Sequence, residues 1–158
     1  MTVENREREP GARTWGLIGR HWVRIPRDED DDAGWRYFSS LSRPTKNLLA
    51  ARWCAYEVRN GGIGQFLWNS SGVLAPEAFQ GLTEIGLFDA ALTLLGATLV
   101  LGERFPRLRA DRQAVLNQLE MQFGARLFEK LDGDLRRQLE CFEEMADGYA
   151  ASREPGRA

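Results

Sequence analysis

A chain of 158 residues, 43% hydrophobic and 28% charged, has the size and balance of one soluble domain with a real core. Its formal net charge of −2 argues weakly against a nucleic-acid binder, which needs a basic patch to neutralise phosphates, and it is also far from a polyanion. The two cysteines, Cys54 and Cys141, fit no paired spacing and read as reduced, buried small apolar residues.

Residues 1–13 alternate charge and close on Pro10-Gly11, so a disordered tail is expected there, with a helical domain over 14–150 and a frayed tail over 151–158. The N-terminus lacks the apolar core of a signal peptide, which places the protein in the cytoplasm. Trp15, Ile18 and Trp22 recur at helical spacing before Pro26. An acidic loop over 27–34 follows, with Asp28, Glu29, Asp30, Asp31 and Asp32 in succession. Such a block repels itself and reads as solvated, and it lacks the spacing of a calcium loop. Trp35, Phe38 and Leu41 mark another short helix.

Ser42 to Thr45 supply a break and a cap before a helix from Lys46 to Arg59, apolar far enough round to lie inside a bundle. Gly61-Gly62 should stop it in the manner of a left-handed cap, with a short helix through Gln65-Phe66-Leu67-Trp68 and a turn at Asn69-Ser70-Ser71-Gly72. Ala75-Pro76-Glu77 opens a helix that Gly86 ends. Leu87 to Leu101, too short to span a bilayer, reads as a buried central helix, so no membrane association is expected. Arg109 to Phe123 is amphipathic, and Arg126 to Leu131 continues or restarts it. Asp132-Gly133-Asp134 reads as a capped turn opening a last helix to Tyr149. No segment alternates with period two. The expected fold is all-α, one compact bundle of seven or eight helices of unequal length.

No constellation for catalysis appears. His21 is the only histidine, no Gly-x-Ser-x-Gly elbow or phosphate loop occurs, and no His/Cys/acid cluster has metal-ligand spacing. A non-enzymatic protein without metal or cofactor is therefore expected. Two groups of residues are candidates for other roles. The first is Glu57, Asn60, Gly61, Gly62, Gln65, Phe66, Asn69 and Ser70. In it Glu57, near a helix C-terminus where an anion is disfavoured by ~0.3–1 kcal/mol, needs fixed donors such as the N–H groups of the next helix, while Asn60 ties down the glycine turn and Gln65 and Asn69 point back at carbonyls or at Glu57. The group is either a polar knot fixing the angle between two helices, or a site for a small ligand or a specific protein such as a toxin. The second comprises Asp28 to Asp32 with Glu140, Glu143, Glu144 and Asp147. The last four lie on one helical stripe of ~10 Å, comparable with a DNA strand's phosphate repeat of ~3.4 Å. Taken alone, that stripe also reads as an ordinary solvated face.

The stretch Glu57-Val58-Arg59-Asn60-Gly61-Gly62-Ile63-Gly64-Gln65-Phe66-Leu67-Trp68-Asn69-Ser70-Ser71-Gly72 resembles the signature of the DNA-mimic-protein-like domain family, small helical bacterial proteins mostly of unknown function. Ile85-Gly86 and Leu131-Asp132 extend the resemblance, which covers about 35–145. The sequence departs from the family pattern at Ile63, where Phe is usual, and at the added Gly64. The resemblance implies an all-α fold and, for the family's named members, acidic surface that imitates DNA and occupies DNA-binding proteins. It thus implies a protein partner of DNA-binding or otherwise basic type, no direct contact with nucleic acid, and a homodimer as one possible assembly.

Overall fold

The structure, a computed structural model, describes residues 10–124 and 126–153. Among them are eight α-helices and no strand: α1 (Ala12–Ile18), α2 (Asp32–Ser40), α3 (Arg43–Trp68), α4 (Ala75–Ile85), α5 (Phe88–Leu99), α6 (Arg109–Phe123), α7 (Glu129–Gln138) and α8 (Phe142–Arg153). The all-helical expectation holds, and so does the expected number of helices. Single 3-10 turns at Gly19–His21 and Ser70–Leu74 follow α1 and α3.

The central element is α3, which packs against α1, α4, α6, α7 and α8. Leu48, Leu49, Cys54, Val58, Phe66 and Leu67 are buried along it, so its apolar residues wrap round the helix instead of forming one stripe. The chain enters α3 as its sequence suggests. Ser42 is the N-cap, its Oγ accepting from the Thr45 N–H at 3.3 Å, and Pro44 lies in the first turn. The expected break falls at Gly62, where two helices meet within α3. The chain kinks there (φ 85°, ψ −178°) and continues to Trp68. At the other end of α4, Gly86 (φ 95°) closes a left-handed cap, with Gly86 N–H bonded to Thr83 and Leu87 N–H to the Leu82 carbonyl.

Three expectations change. The apolar helix α5 is not central: it packs on α4 and α7 and turns Phe88, Leu92 and Leu99 to solvent. The turn expected at Asp132-Gly133-Asp134 lies inside α7, and the chain breaks later, at Leu139–Cys141, because the Asp132 side chain serves a different helix from its own. At that break Arg59 Nη2 donates to the Leu139 carbonyl at 2.8 Å. Cys54 is buried, which pushes its thiol pKa up with the Glu57 charge adding to the effect, whereas Cys141 is exposed.

The boundaries shift at the ends. Helix α1 starts at Ala12, and Gly11 N–H donates to Asp147 Oδ2 at 2.8 Å, so the ordered chain begins before residue 14. Helix α8 runs through Arg153. The rest of the two expected tails, 1–9 and 154–158, lies outside the described residues. No described helix is long and apolar enough to cross a membrane.

Candidate functional site: the glutamate knot and the acidic residues

Beyond the kink the chain turns back on itself, which brings the polar side chains of the Glu57–Ser71 stretch together. Glu57 is buried and both its oxygens accept hydrogen bonds from inside the chain. Gln65 Nε2 and Asn69 Nδ2 donate to Oε2 at 2.8 and 3.0 Å, and Ser71 Oγ donates to Oε1 at 2.9 Å. Two of the donors, Gln65 and Asn69, are side chains expected to point back at Glu57, the third is Ser71, and no backbone N–H group of the next helix is among them. The free backbone N–H past the kink, that of Ile63, donates to Asp132 Oδ1 at 2.6 Å.

Two features call for glycine at 62. A Cβ on Gly62 would sit 2.7 Å from Asp132 Oδ2, and the φ of 85° disfavours any side chain. Gly61 is helical, and a Cβ there would lie 1.9 Å from Gln65 Oε1, so its bareness makes room for the Gln65 amide. Phe66 belongs to the core. Asn60 and Ser70 are less tightly engaged: Asn60 is exposed, and neither side chain bonds to a described residue.

Arg112, not singled out by the sequence reading, closes the far end of α3. It is fully buried and donates to carbonyls only: Nε to Leu67 at 3.0 Å, Nη2 to Asn69 at 3.1 Å, and Nη1 to Arg107. Arg109 Nε and Gln113 Nε2 take the Trp68 carbonyl between them. A cation placed at the negative end of a helix is favourable. Burial nonetheless pulls the Arg112 pKa down to about 10, against the opposing effect of Asp28 and with Arg109 and Arg107 adding to the fall. The available sequence signal was its spacing: Arg112 lies four residues before Leu116, on the buried face of α6.

The acidic candidates divide. Asp28 Oδ1 accepts the Arg109 N–H at 2.6 Å and so caps α6. Asp31 is the N-cap of α2, accepting from the Gly34 and Arg27 N–H groups, and those two bonds hold its pKa below the ordinary value. Asp147 accepts from Gly11 N–H, Thr14 N–H and Thr14 Oγ1, fixing the start of α1, and Glu143 pairs with Arg52 and Arg59. Glu29, Asp30, Asp32, Glu140 and Glu144 are exposed and make no ion pair with a described residue. The block at 28–32 is thus partly built into the fold: a carboxylate beside an open helix N-terminus gains more from the N–H groups than from water.

A cleft of about 280 Å³ adjoins the knot, lined by Gly64, Gln65, Trp68, Leu116, Glu120 and Phe128 among others. The absence of a side chain at Gly64 keeps it open toward Phe128, whose ring lies 3.6 Å from the Cβ position. Among the described residues no group of three or more His, Cys, Asp or Glu is placed to hold a metal ion.

These features define an all-helical protein built on one kinked helix, with a buried glutamate tying the two halves together. Residues 39–153 match the family described as DMP19-like protein, and the chain belongs to that family. Searches of curated proteins and of solved structures gave no match.

Proposed function

We propose that this is a non-enzymatic cytoplasmic binding protein whose exposed carboxylates occupy a basic protein of DNA-binding type in place of DNA. Family membership supports the DNA-mimic character. The observation that carries the reading further is the separation of the acids into internal fixtures and free ones. Glu140 and Glu144 near the start of α8, with Glu29, Asp30 and Asp32 at the entry to α2, keep their charge for an outside partner. The Glu57 knot is scaffold in this reading, since both its oxygens are already taken.

The test is capture of DNA-binding proteins from cell extract at low and high salt, with duplex DNA as competitor. Capture should weaken as salt screens the attraction, and DNA should displace the chain. The double variant Glu140→Lys/Glu144→Lys should bind about tenfold more weakly with an unchanged melting temperature. Glu143 and Asp147 are left intact, because reversing them would disturb α1 and α3. Undiminished capture by the double variant, or capture that DNA leaves untouched, would sink the mimic reading.

A second reading is favoured by the cleft beside Gln65: a small apolar ligand, or an apolar side chain of a specific protein, enters between Trp68 and Phe128. Filling it by Gly64→Leu would abolish such binding and leave acid-dependent capture unaffected.

A further inference from the structure

Four aromatic side chains from two parts of the chain form one continuous cluster at the surface. Trp22 lies flat on Trp53 with ring centroids 4.1 Å apart and planes 5° off parallel, while Trp15 and Tyr56 meet Trp22 edge-on at 5.2 and 5.7 Å. Trp53 Nε1 donates to the Trp22 carbonyl, so the stack is pinned to the backbone. It is nonetheless open to solvent: Trp15 is 40% and Tyr56 51% exposed, with Val23 beside Trp22 at 72%. Large rings held rigidly at a surface lose little freedom on binding, and Trp, Tyr and Arg are the types that dominate binding hot spots.

Arginines flank the cluster in the chain, Arg13 two residues before Trp15 and Arg20 and Arg24 two residues either side of Trp22. Arg52, already paired with Glu143, lies over the Trp15 ring at 4.8 Å, and Arg24 lies over the neighbouring Tyr37 ring, outside the four, at 3.8 Å. Arg13, Arg20 and Arg24 are exposed, and none makes an ion pair with a described residue.

We propose that this aromatic surface, flanked in the chain by the exposed Arg13, Arg20 and Arg24, is a second docking site, independent of the acidic one, and that its occupant is a short acidic peptide segment of a partner protein carrying an apolar side chain. The guanidinium forks match carboxylates in two-point contact, and the exposed faces of Trp15 and Tyr56 accept the apolar group. A long nucleic-acid strand fits less well. Trp22 and Trp53 spend their faces on one another, leaving few open platforms for bases.

The test is fluorescence anisotropy of the full chain with a labelled peptide of about twelve residues in Glu-Glu-Leu repeats, beside a Lys-Lys-Leu peptide and a thymidine oligonucleotide of equal length. The acidic peptide alone should bind, with affinity falling about tenfold from low to high salt. Arg13→Glu/Arg24→Glu and, separately, Tyr56→Ala should each weaken it about tenfold. Glu140→Lys/Glu144→Lys should not weaken it, which separates this site from the acidic one. Circular dichroism of each variant establishes that it is folded. No binding of the acidic peptide, equal binding of the basic one, or insensitivity to the arginine and tyrosine substitutions would overturn the proposal. Tighter binding of the oligonucleotide through the same residues would assign the surface to single-stranded nucleic acid instead. Self-association lost in the same variants would assign it to a second copy.

Discussion

Glu57 shows how a single buried carboxylate sets its neighbours. It faces three donors, of which only Ser71 is buried while Gln65 and Asn69 are half-exposed. In Glu57→Ala the two amides can find water but the Ser71 hydroxyl cannot, so a loss of about 2–4 kcal/mol is expected. Glu57→Gln should lose markedly less. The new carbonyl can receive both amides, and the Ser71 hydroxyl can rotate to accept from the new amide. Denaturant midpoints of the two variants check this, and equal losses would contradict the donor arrangement. His21 responds to pH for a related reason. Arg20 Nε can only donate, so Nε2 accepts from it at 3.1 Å, which leaves the proton on Nδ1 facing Tyr37 Oη at 2.6 Å. A second proton would break the Arg20 bond and set cation against cation. The His21 pKa therefore lies below 6.5, mainly through burial, with Arg20 and Arg24 adding to it. As pH falls the unfolded chain takes up the proton first, so stability is full above the ordinary histidine range and is lost as pH falls through the lower, folded value. The melting temperature should drop across that window in the parent chain. It should drop less in His21→Gln.

Helices were legible where one segment decides its own state and less so where a distant partner decides it. The cap at Ser42 and the stop at Gly86 follow from residues within a turn of each other. The break at the two glycines was legible locally, but Asp132, 69 residues from Ile63, which bonds across it, was not, and Asp132-Gly133-Asp134 read locally signals a turn where α7 runs on. The same limit applies to the candidate residues. The grouping of Glu57, Gln65 and Asn69 was visible in the sequence, whereas Asp132 and Arg112 complete the structure from other helices. Close helix contact gives a test at this scale. Gly81 in α4 lies against α3, and a Cβ there would fall 2.3 Å from the Asn47 carbonyl oxygen. Helix propensity alone favours alanine over glycine by about 1 kcal/mol. Overpacking against backbone costs about 1–3 kcal/mol or more, and a carbonyl in the middle of a helix cannot rotate away as a side-chain tip does. Gly81→Ala should therefore lower the melting temperature. A rise would mean that α3 and α4 are farther apart.

At the scale of the molecule the core is centred on α3, and this decides what α5 does. Composition alone made α5 the natural centre, because it is the longest apolar run. Yet one helix cannot be enclosed by neighbours that are already enclosing another, and α5 is left packed on α4 and α7 with its outer side bare. Phe88, Leu92, Leu95 and Leu99 recur at helical spacing along that outer side, with Leu95 half-buried and the other three from 56% to 62% exposed. Leu94, two positions from Leu92, is fully buried. The same residue type within one turn of one helix thus offers a comparison in which propensity and chain position cancel. Leu94→Ala should cost about 2–5 kcal/mol through lost burial and the cavity left behind. Leu92→Ala should change stability by no more than about 0.5 kcal/mol, as for a surface site, since its side chain is already in water. Urea denaturation of the two variants at equal protein concentration measures both. A large loss at Leu92 that persists on dilution would put α5 back in the interior. A loss that disappears on dilution would mean that this face is covered only when copies associate.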